Sequence, residues 1–274
     1  MNNKQTEKEK KISSHIQMPK SVLKRFENQH HRYYYYDVKR RFIGTNGHAG
    51  STNIELGFYS HEIEGFLNSE IETPFSKLYE AIDEISIDPP RGNIDSHFDY
   101  VAKRFVYALL ARNPNAIDRI KKDPLINELF SSQQTRDLGM TMGFAAEMER
   151  DFLSNYGTTI AINSTDVPFI LPTCGAYCLN IFEIEHIILP VSPTKAIVFV
   201  EESGKGQVVA DGVFRPYFIE DEVDAAQFNI AAFSTQCRYV NGFVVSPDKS
   251  ALENAQNEVN PRDIHLSTDQ TKDS

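Results

Sequence analysis

Apolar residues in this chain change their period twice, and that change limits the possible folds more than any other feature. Between residues 71 and 154 the spacing is helical. Ile71, Phe75, Leu78, Ile82 and Ile85 recur at four- and three-residue intervals, which places them on one helix face. Phe98, Val101, Ala102, Phe105, Val106, Leu109 and Leu110 form a second, broader stripe that Asn113-Pro114 ends. Leu138, Met142, Ala145 and Phe152 mark a third helix over about Thr135–Ser154. On either side the pattern is that of strands. Tyr33–Asp37 is aromatic and β-favouring, with Lys39–Ile43 returning beside it. Thr158–Ile162, Pro168–Leu171, Glu185–Leu189 and Ala196–Glu201 read as short strands bounded by Pro, Gly and Ser. A helix over Glu220–Arg238 and a strand over Gly242–Val245 follow. This order predicts an α+β fold. An N-terminal strand pair and C-terminal short strands pack with a central block of long helices, in place of a doubly wound sheet.

The boundaries come from where the patterning stops. Residues 1–13 are polar and charged and are predicted to be a disordered basic leader; residues 14–246 form a single α+β domain; residues 247–274 are predicted to be a disordered tail. Pro19 opens a short basic helix that runs to about Glu27. Thr73-Pro74 predicts a break in the first long helical segment. Residues 44–53 hold three glycines in seven positions and read as a loop. Their spacing matches neither a P-loop nor a dinucleotide fingerprint. No apolar run approaches a membrane span, Met1–Glu7 lacks a signal-peptide core, and three cysteines make no disulfide framework. A cytoplasmic protein without a membrane partner is expected, its oligomeric state open.

Charge is unevenly spread. Residues 1–41 carry eleven Lys/Arg against four Asp/Glu, or +7, so a chain of net charge −10 leaves −17 on the rest. An acidic body disfavours nucleic-acid binding over the whole surface and leaves room for a local basic site. Arg32, Lys39, Arg40 and Arg41 flank the tyrosine run Tyr33–Tyr36. Alternation sends Tyr33 and Tyr35 to one face, Tyr34 and Tyr36 to the other. An exposed pair beside those cations would form a stacking and phosphate surface for single-stranded nucleic acid. Tyrosines packed between sheet and helices explain the run equally well, and both readings stay open.

Residues that carry chemistry are sparse. Cys174 and Cys178 are an isolated pair, a poor zinc site, and no His-Glu-x-x-His pattern occurs, so no metal ligands are assigned and no cofactor is named. No Gly-x-Ser-x-Gly elbow is present, and Cys237 has no assignable base. Glu72, Arg112, Asn163 and His15 remain as candidate catalytic residues: polar groups flanking apolar faces. Phosphodiester cleavage needs positive charge on the developing phosphorane and a proton-transfer group; Arg112 suits the first role, Glu72 or His15 the second. The structural alternative is that Arg112 caps its own helix end and pairs with Glu72.

Several landmarks recur in one order: Pro19, Leu23 and Phe26; Tyr36-Asp37; Asn53, Glu55 and Phe58-Tyr59; Ile71-Glu72; Arg112-Asn113-Pro114; Phe169–Thr173; Leu189–Pro193; Asn229 and Ala232. In this order the chain resembles the uncharacterised bacterial family named domain of unknown function 4238, over roughly residues 14–245. Two positions depart from the family. His15 stands one place earlier than the family histidine, whose position Ile16 takes, and Pro172-Thr173 replaces a Ser-Asp pair. The family supplies no reaction; the expectation is a nucleic-acid-acting effector, a metal-dependent nuclease or toxin, and the resemblance implies its setting in bacterial defence or a mobile element. The lost Ser-Asp pair implies the alternative, a non-catalytic binding or regulatory module.

Overall fold

The structure, a computed structural model, describes residues 13–52, 54–86, 94–112, 124–181, 183–201, 209–210, 213–214, 216–239 and 241–259. The expectations for residues 1–12, for Asn53 and for Asn113-Pro114 lie outside these. In chain order the first elements are β1 (Ser13–His15), α1 (Lys20–Lys24), β2 (Tyr33–Asp37), β3 (Phe42–Gly47) and β4 (Ile54–Leu56). The helical block follows as α2 (His61–Phe66), a π-helical segment Leu67–Glu72, α3 (Thr73–Ser76), α4 (Leu78–Glu84), α5 (Ser96–Ala111), α6 (Pro124–Leu129) and α7 (Ser132–Arg150). Then come β5 (Tyr156–Asn163), β6 (Leu171–Pro172), β7 (Tyr177–Ile181), β8 (Ile184–Ser192), β9 (Lys195–Glu201), β10 (Val209–Ala210), β11 (Val213–Phe214) and β12 (Tyr217–Ile219). The described chain closes with α8 (Glu222–Cys237), β13 (Phe243–Ser246) and α9 (Lys249–Glu258). The fold is α+β.

Two sheets divide the work. The larger has the order β12-β5-β9-β8-β7, antiparallel except for the β12–β5 pair. The smaller has the order β3-β2-β13-β6, so β2 pairs on one side with its hairpin partner and on the other with a strand from the far end of the chain. Alternation along β2 is as expected. Tyr33 and Tyr35 pack against the cluster formed with the helical block, and Tyr36 and Tyr34 against the cluster under α8 and α9. Neither pair is left on an open face, however. Tyr33 and Tyr36 are fully buried and the other two are half-buried, because both faces of this sheet are covered.

Three expectations need correction. The glycines read as a loop lie partly in a strand: Gly44 and Gly47 belong to β3 and face Tyr35 and Tyr33. A Cβ on either glycine would collide with those rings, so the glycines here seat aromatic side chains. Order also continues past Pro247, since α9 covers Lys249–Glu258 and buries Ala251, Leu252 and Ala255. Its apolar stripe is mostly alanine, too small to stand out by hydrophobicity. Finally, the first helical segment starts ten residues before Ile71. The break expected at Thr73-Pro74 is present, preceded by a π-helical segment. Pro74 has no N–H to give to the turn before it, and the hydrogen-bond ladder is re-spaced there.

Candidate functional site

Three of the four predicted catalytic residues come together where β1, the π-helical segment and the end of α5 meet. Arg112 closes α5, donating its backbone N–H to the Ala108 carbonyl at 3.0 Å. Its side chain is 2% exposed and turns away from its own helix. Nη2 pairs with Oε1 of Glu72, and Nη1 donates to the Gln17 carbonyl at 3.4 Å. The pairing with Glu72 is as the structural alternative expected; the capping of its own helix carbonyls is replaced by a bond to the β1–α1 connection. Glu72 ends the π-helical segment, and its side chain is a quarter exposed, so the pair reaches from the interior to the surface. Single π-turns inside helices are uncommon and concentrate at functional sites.

His15 ends β1, which is held in place by pairing with β4. Its Nε2 lies 2.9 Å from the Ala49 carbonyl. A carbonyl only accepts, so Nε2 carries the proton and Nδ1 offers its lone pair. The Ala49 peptide is itself clamped, its N–H bonding the Glu27 carboxylate at 2.7 Å. Burial lowers the His15 pKa from its ordinary value; the Ala49 carbonyl and Glu72 oppose this, while Arg112 and Lys20 add to it. Burial thus favours the neutral imidazole, the form a general base needs. Lys20 is exposed at the start of α1, its ammonium beside Gly50 of the loop that holds His15. It is the outermost positive charge acting on this imidazole.

Residues not among the predicted catalytic ones complete the cluster. Tyr59, 1% exposed, sits in a segment fastened from α7: Arg136 donates to the Phe58 carbonyl at 2.6 Å, and Asp137 accepts the Ser60 N–H at 3.0 Å. Glu64 bonds the buried Ser14 hydroxyl, and burial raises its pKa above the ordinary carboxyl value, with Glu72 and Asp137 acting in the same direction and Arg112 against. Thr173 belongs here too. Its hydroxyl donates to Gln17 Oε1 at 2.8 Å and accepts the Phe243 N–H at 2.9 Å, while Gln236 takes the Cys174 N–H at 2.8 Å. Since Arg112 bonds the Gln17 backbone, Thr173 is one residue removed from the Arg112–Glu72 pair. Gly242, at φ +125°, is the only residue type that fits beside this network; a Cβ there would strike Gln236, Gln17 and Thr173.

Other candidates fall elsewhere. Asn163 does not join the cluster: its amide donates to the Val167 carbonyl at 2.7 Å and its oxygen accepts from the Thr165 N–H and hydroxyl, which makes it the staple of the turn after β5. A polar residue at a strand end is indistinguishable in sequence from a ligand-facing one. Arg32, Lys39, Arg40 and Arg41 are all exposed, but they stand at opposite ends of the β2–β3 hairpin, about 14 Å apart along the strand. Arg40 is turned back on Asp37, whose Oδ1 accepts its backbone N–H at 2.9 Å. Cys174 and Cys237 are buried, and burial pushes their thiols up to about 12 and about 11, so neither is an activated nucleophile. Among the described residues no three His, Cys, Asp or Glu side chains gather as a metal-ligand set. Also among the described residues, no helix is long and apolar enough to cross a membrane. No protein-family model, curated protein or solved structure matches the chain, so the site is read from its own geometry.

Proposed function

We propose that the protein acts on nucleic acid, cleaving the phosphodiester backbone of single-stranded RNA with His15 as general base and Arg112 as the stabilising cation. The observation that carries this reading is the arrangement of His15. One ring nitrogen is fixed on the Ala49 carbonyl, and the other is a free lone pair in a site that also holds a buried guanidinium. A neutral imidazole suits the activation of a 2′-hydroxyl within the substrate. The 2′-OH gives its proton to Nδ1, the 2′-oxygen bonds to phosphorus, and the P–O5′ bond breaks. The leaving 5′-oxygen takes a proton from water, and the product strand ends in a 2′,3′-cyclic phosphate. Glu72 holds the guanidinium in place and keeps its charge compensated between turnovers. Lys20 and Arg32 offer exposed charge for the backbone on the His15 side.

The test is incubation of labelled single-stranded RNA with the wild type and with His15→Asn, together with expression of both in a bacterial host. Cleavage to a cyclic-phosphate end and toxicity, both lost in His15→Asn, are expected of a nucleic-acid-acting effector. An intact RNA pool in the presence and absence of Mg²⁺ or Mn²⁺, with a harmless wild type, removes the reading. A second reading, a binding or regulatory module without chemistry, rests on the expected departure from the resembled family, Thr173 in place of its acid. A salt-dependent band shift without cleavage would select it.

A further inference from the structure

Two buried donors of the site have no acceptor. Arg112 uses Nη1 and Nη2 within the protein, yet its Nε–H, fully enclosed, meets no partner. The Tyr59 hydroxyl is likewise enclosed and unpartnered. Each is a strong donor, and an enclosed donor without an acceptor costs about 1–3 kcal/mol, so native interiors seldom tolerate even one. These two belong to the same cluster. Arg112 is the foremost charge acting on Tyr59 after burial itself, and β1 with the connection after it ties both together, Ser14 Oγ accepting the Tyr59 N–H at 3.5 Å and Gln17 O accepting from Arg112. Each neighbouring acceptor group already holds another donor. Glu72 Oε1 is held by Nη2, Glu64 by Ser14, Asp137 Oδ1 by the Ser60 N–H, and Gln17 Oε1 by Thr173.

We infer that Arg112 Nε–H and the Tyr59 hydroxyl together form a binding position for a phosphate oxygen, with Tyr59 a substrate-contacting residue. This rests on the reading of the site as one that acts on phosphodiesters; the oxygen bound would be a non-bridging oxygen of the group His15 attacks beside. Two fixed donors in one cluster, one of them charged, are the kind of group that holds an oxyanion without reorganising. The tyrosine is held by its ring contact with Phe58, at 4.8 Å between centroids, and by the clamps from α7 on either side. The parts of the cluster that reach the surface are Glu72, whose side chain is a quarter exposed, and half-buried His15.

Tyr59→Phe tests this without emptying the core, because the ring stays and only the hydroxyl leaves. Thermal unfolding is followed in chloride buffer and in inorganic phosphate at matched ionic strength. The wild type is expected to gain stability saturably with phosphate. Tyr59→Phe in chloride should be as stable as the wild type or more so, since an unpaired hydroxyl has been removed. In phosphate its gain should shrink, with an apparent Kd weaker by about tenfold, the loss of one hydrogen bond to a charged acceptor. His15→Asn should keep the phosphate response and lose only RNA cleavage. Two outcomes overturn the inference: a wild type that responds to phosphate no more than to chloride, or a Tyr59→Phe loss of equal size in both buffers, as a water-bridged hydroxyl would give. If phosphate stabilises through Tyr59 and RNA stays intact, the oxyanion position stands and the cleavage reaction falls.

Discussion

Glu72 Oε1 and Arg112 Nη2 meet at the end of a π-helical segment, joining a carboxylate that touches solvent to a guanidinium that does not. The asymmetry decides what each mutation does. Removing Glu72 leaves a buried, uncompensated positive charge, whereas removing Arg112 leaves a carboxylate that water can reach. Glu72→Ala should therefore cost about 3 kcal/mol or more in urea unfolding. Arg112→Met, close in length and apolar, should cost less than the Glu72 change. Glu72→Ala combined with Arg112→Met should cost clearly less than the sum of the two. Additive losses would mean that the pair contributes nothing as a pair.

Gly44 and Gly47 carry a second expectation. With the Tyr35 and Tyr33 rings lying over them, Gly44→Ala would push a methyl into the Tyr35 ring and Gly47→Ala into that of Tyr33. Each should cost about 1–3 kcal/mol, the usual range for forcing an extra carbon into a filled space. Tyr35 is half-buried and can be trimmed, so Gly44→Ala should cost much less in a Tyr35→Ala background. Equal costs in both backgrounds, read by chemical denaturation, would show that backbone preference and not the ring is responsible.

The same glycines show what could and could not be read from the sequence. Alternation along Tyr33–Tyr36 assigns each ring to a face correctly, because period two is a property of the strand itself. Whether a face is covered depends on elements far along the chain that pack from both sides; no local pattern carries that information. The site divides in the same way. Glu72, Arg112 and His15 are ionisable, and their residue types suggest chemistry. Gln17 and Gln236 are neutral and acquire meaning only when the segments after β1 and β6 meet α8. The three-residue strands β1 and β4 are too short to show any period, so the element that delivers His15 could not be seen beforehand.

Thr173 offers a sharper test of that neutral network. Its hydroxyl both donates to Gln17 Oε1 and accepts the Phe243 N–H, at zero exposure. Thr173→Val keeps the shape and strands two buried partners, so a loss of about 2–4 kcal/mol is expected, taking each partner at the lower half of its usual cost. Thr173→Ser, which keeps the hydroxyl, should recover most of it. A valine variant as stable as the wild type would remove the network from any account of how Gln17, and through it Arg112, is positioned.

Acid should weaken the fold through two histidines. Burial lowers the pKa of both His15 and His186 below the ordinary 6.5, so the unfolded chain takes up protons that the folded one refuses. Their contribution is complete above that ordinary value and is lost as pH falls through the lowered, folded values. Glu64 works the other way. Its raised pKa means a contribution present below the ordinary 4.5 and lost as pH rises through the folded value. Melting temperature should therefore drop between about pH 7 and about pH 5, and more shallowly in His15→Gln. An unchanged slope in that variant would show that His15 is not among the groups titrating.

The split basic charge leads to the last expectation. The β2 residue Tyr33 pairs with Gly47, and the next two residues, His48 and Ala49, lead to the carbonyl that holds His15. Arg32 therefore stands at the site end of the hairpin, while Lys39, Arg40 and Arg41 stand at the far end, and Arg40 is already drawn towards Asp37 at 3.9 Å. A single strand gripped at His15 passes Arg32 and Lys20 first. In a band-shift assay at low salt, Arg32→Glu and Lys20→Glu should each weaken single-stranded RNA binding several-fold and flatten its salt dependence by about one ion, the signature of one lost phosphate contact. Arg40→Glu with Arg41→Glu should have the smaller effect despite changing twice the charge. The reverse ranking would move the nucleic-acid path to the far end of the hairpin, about 14 Å away along β2, and would separate binding from the His15 site altogether.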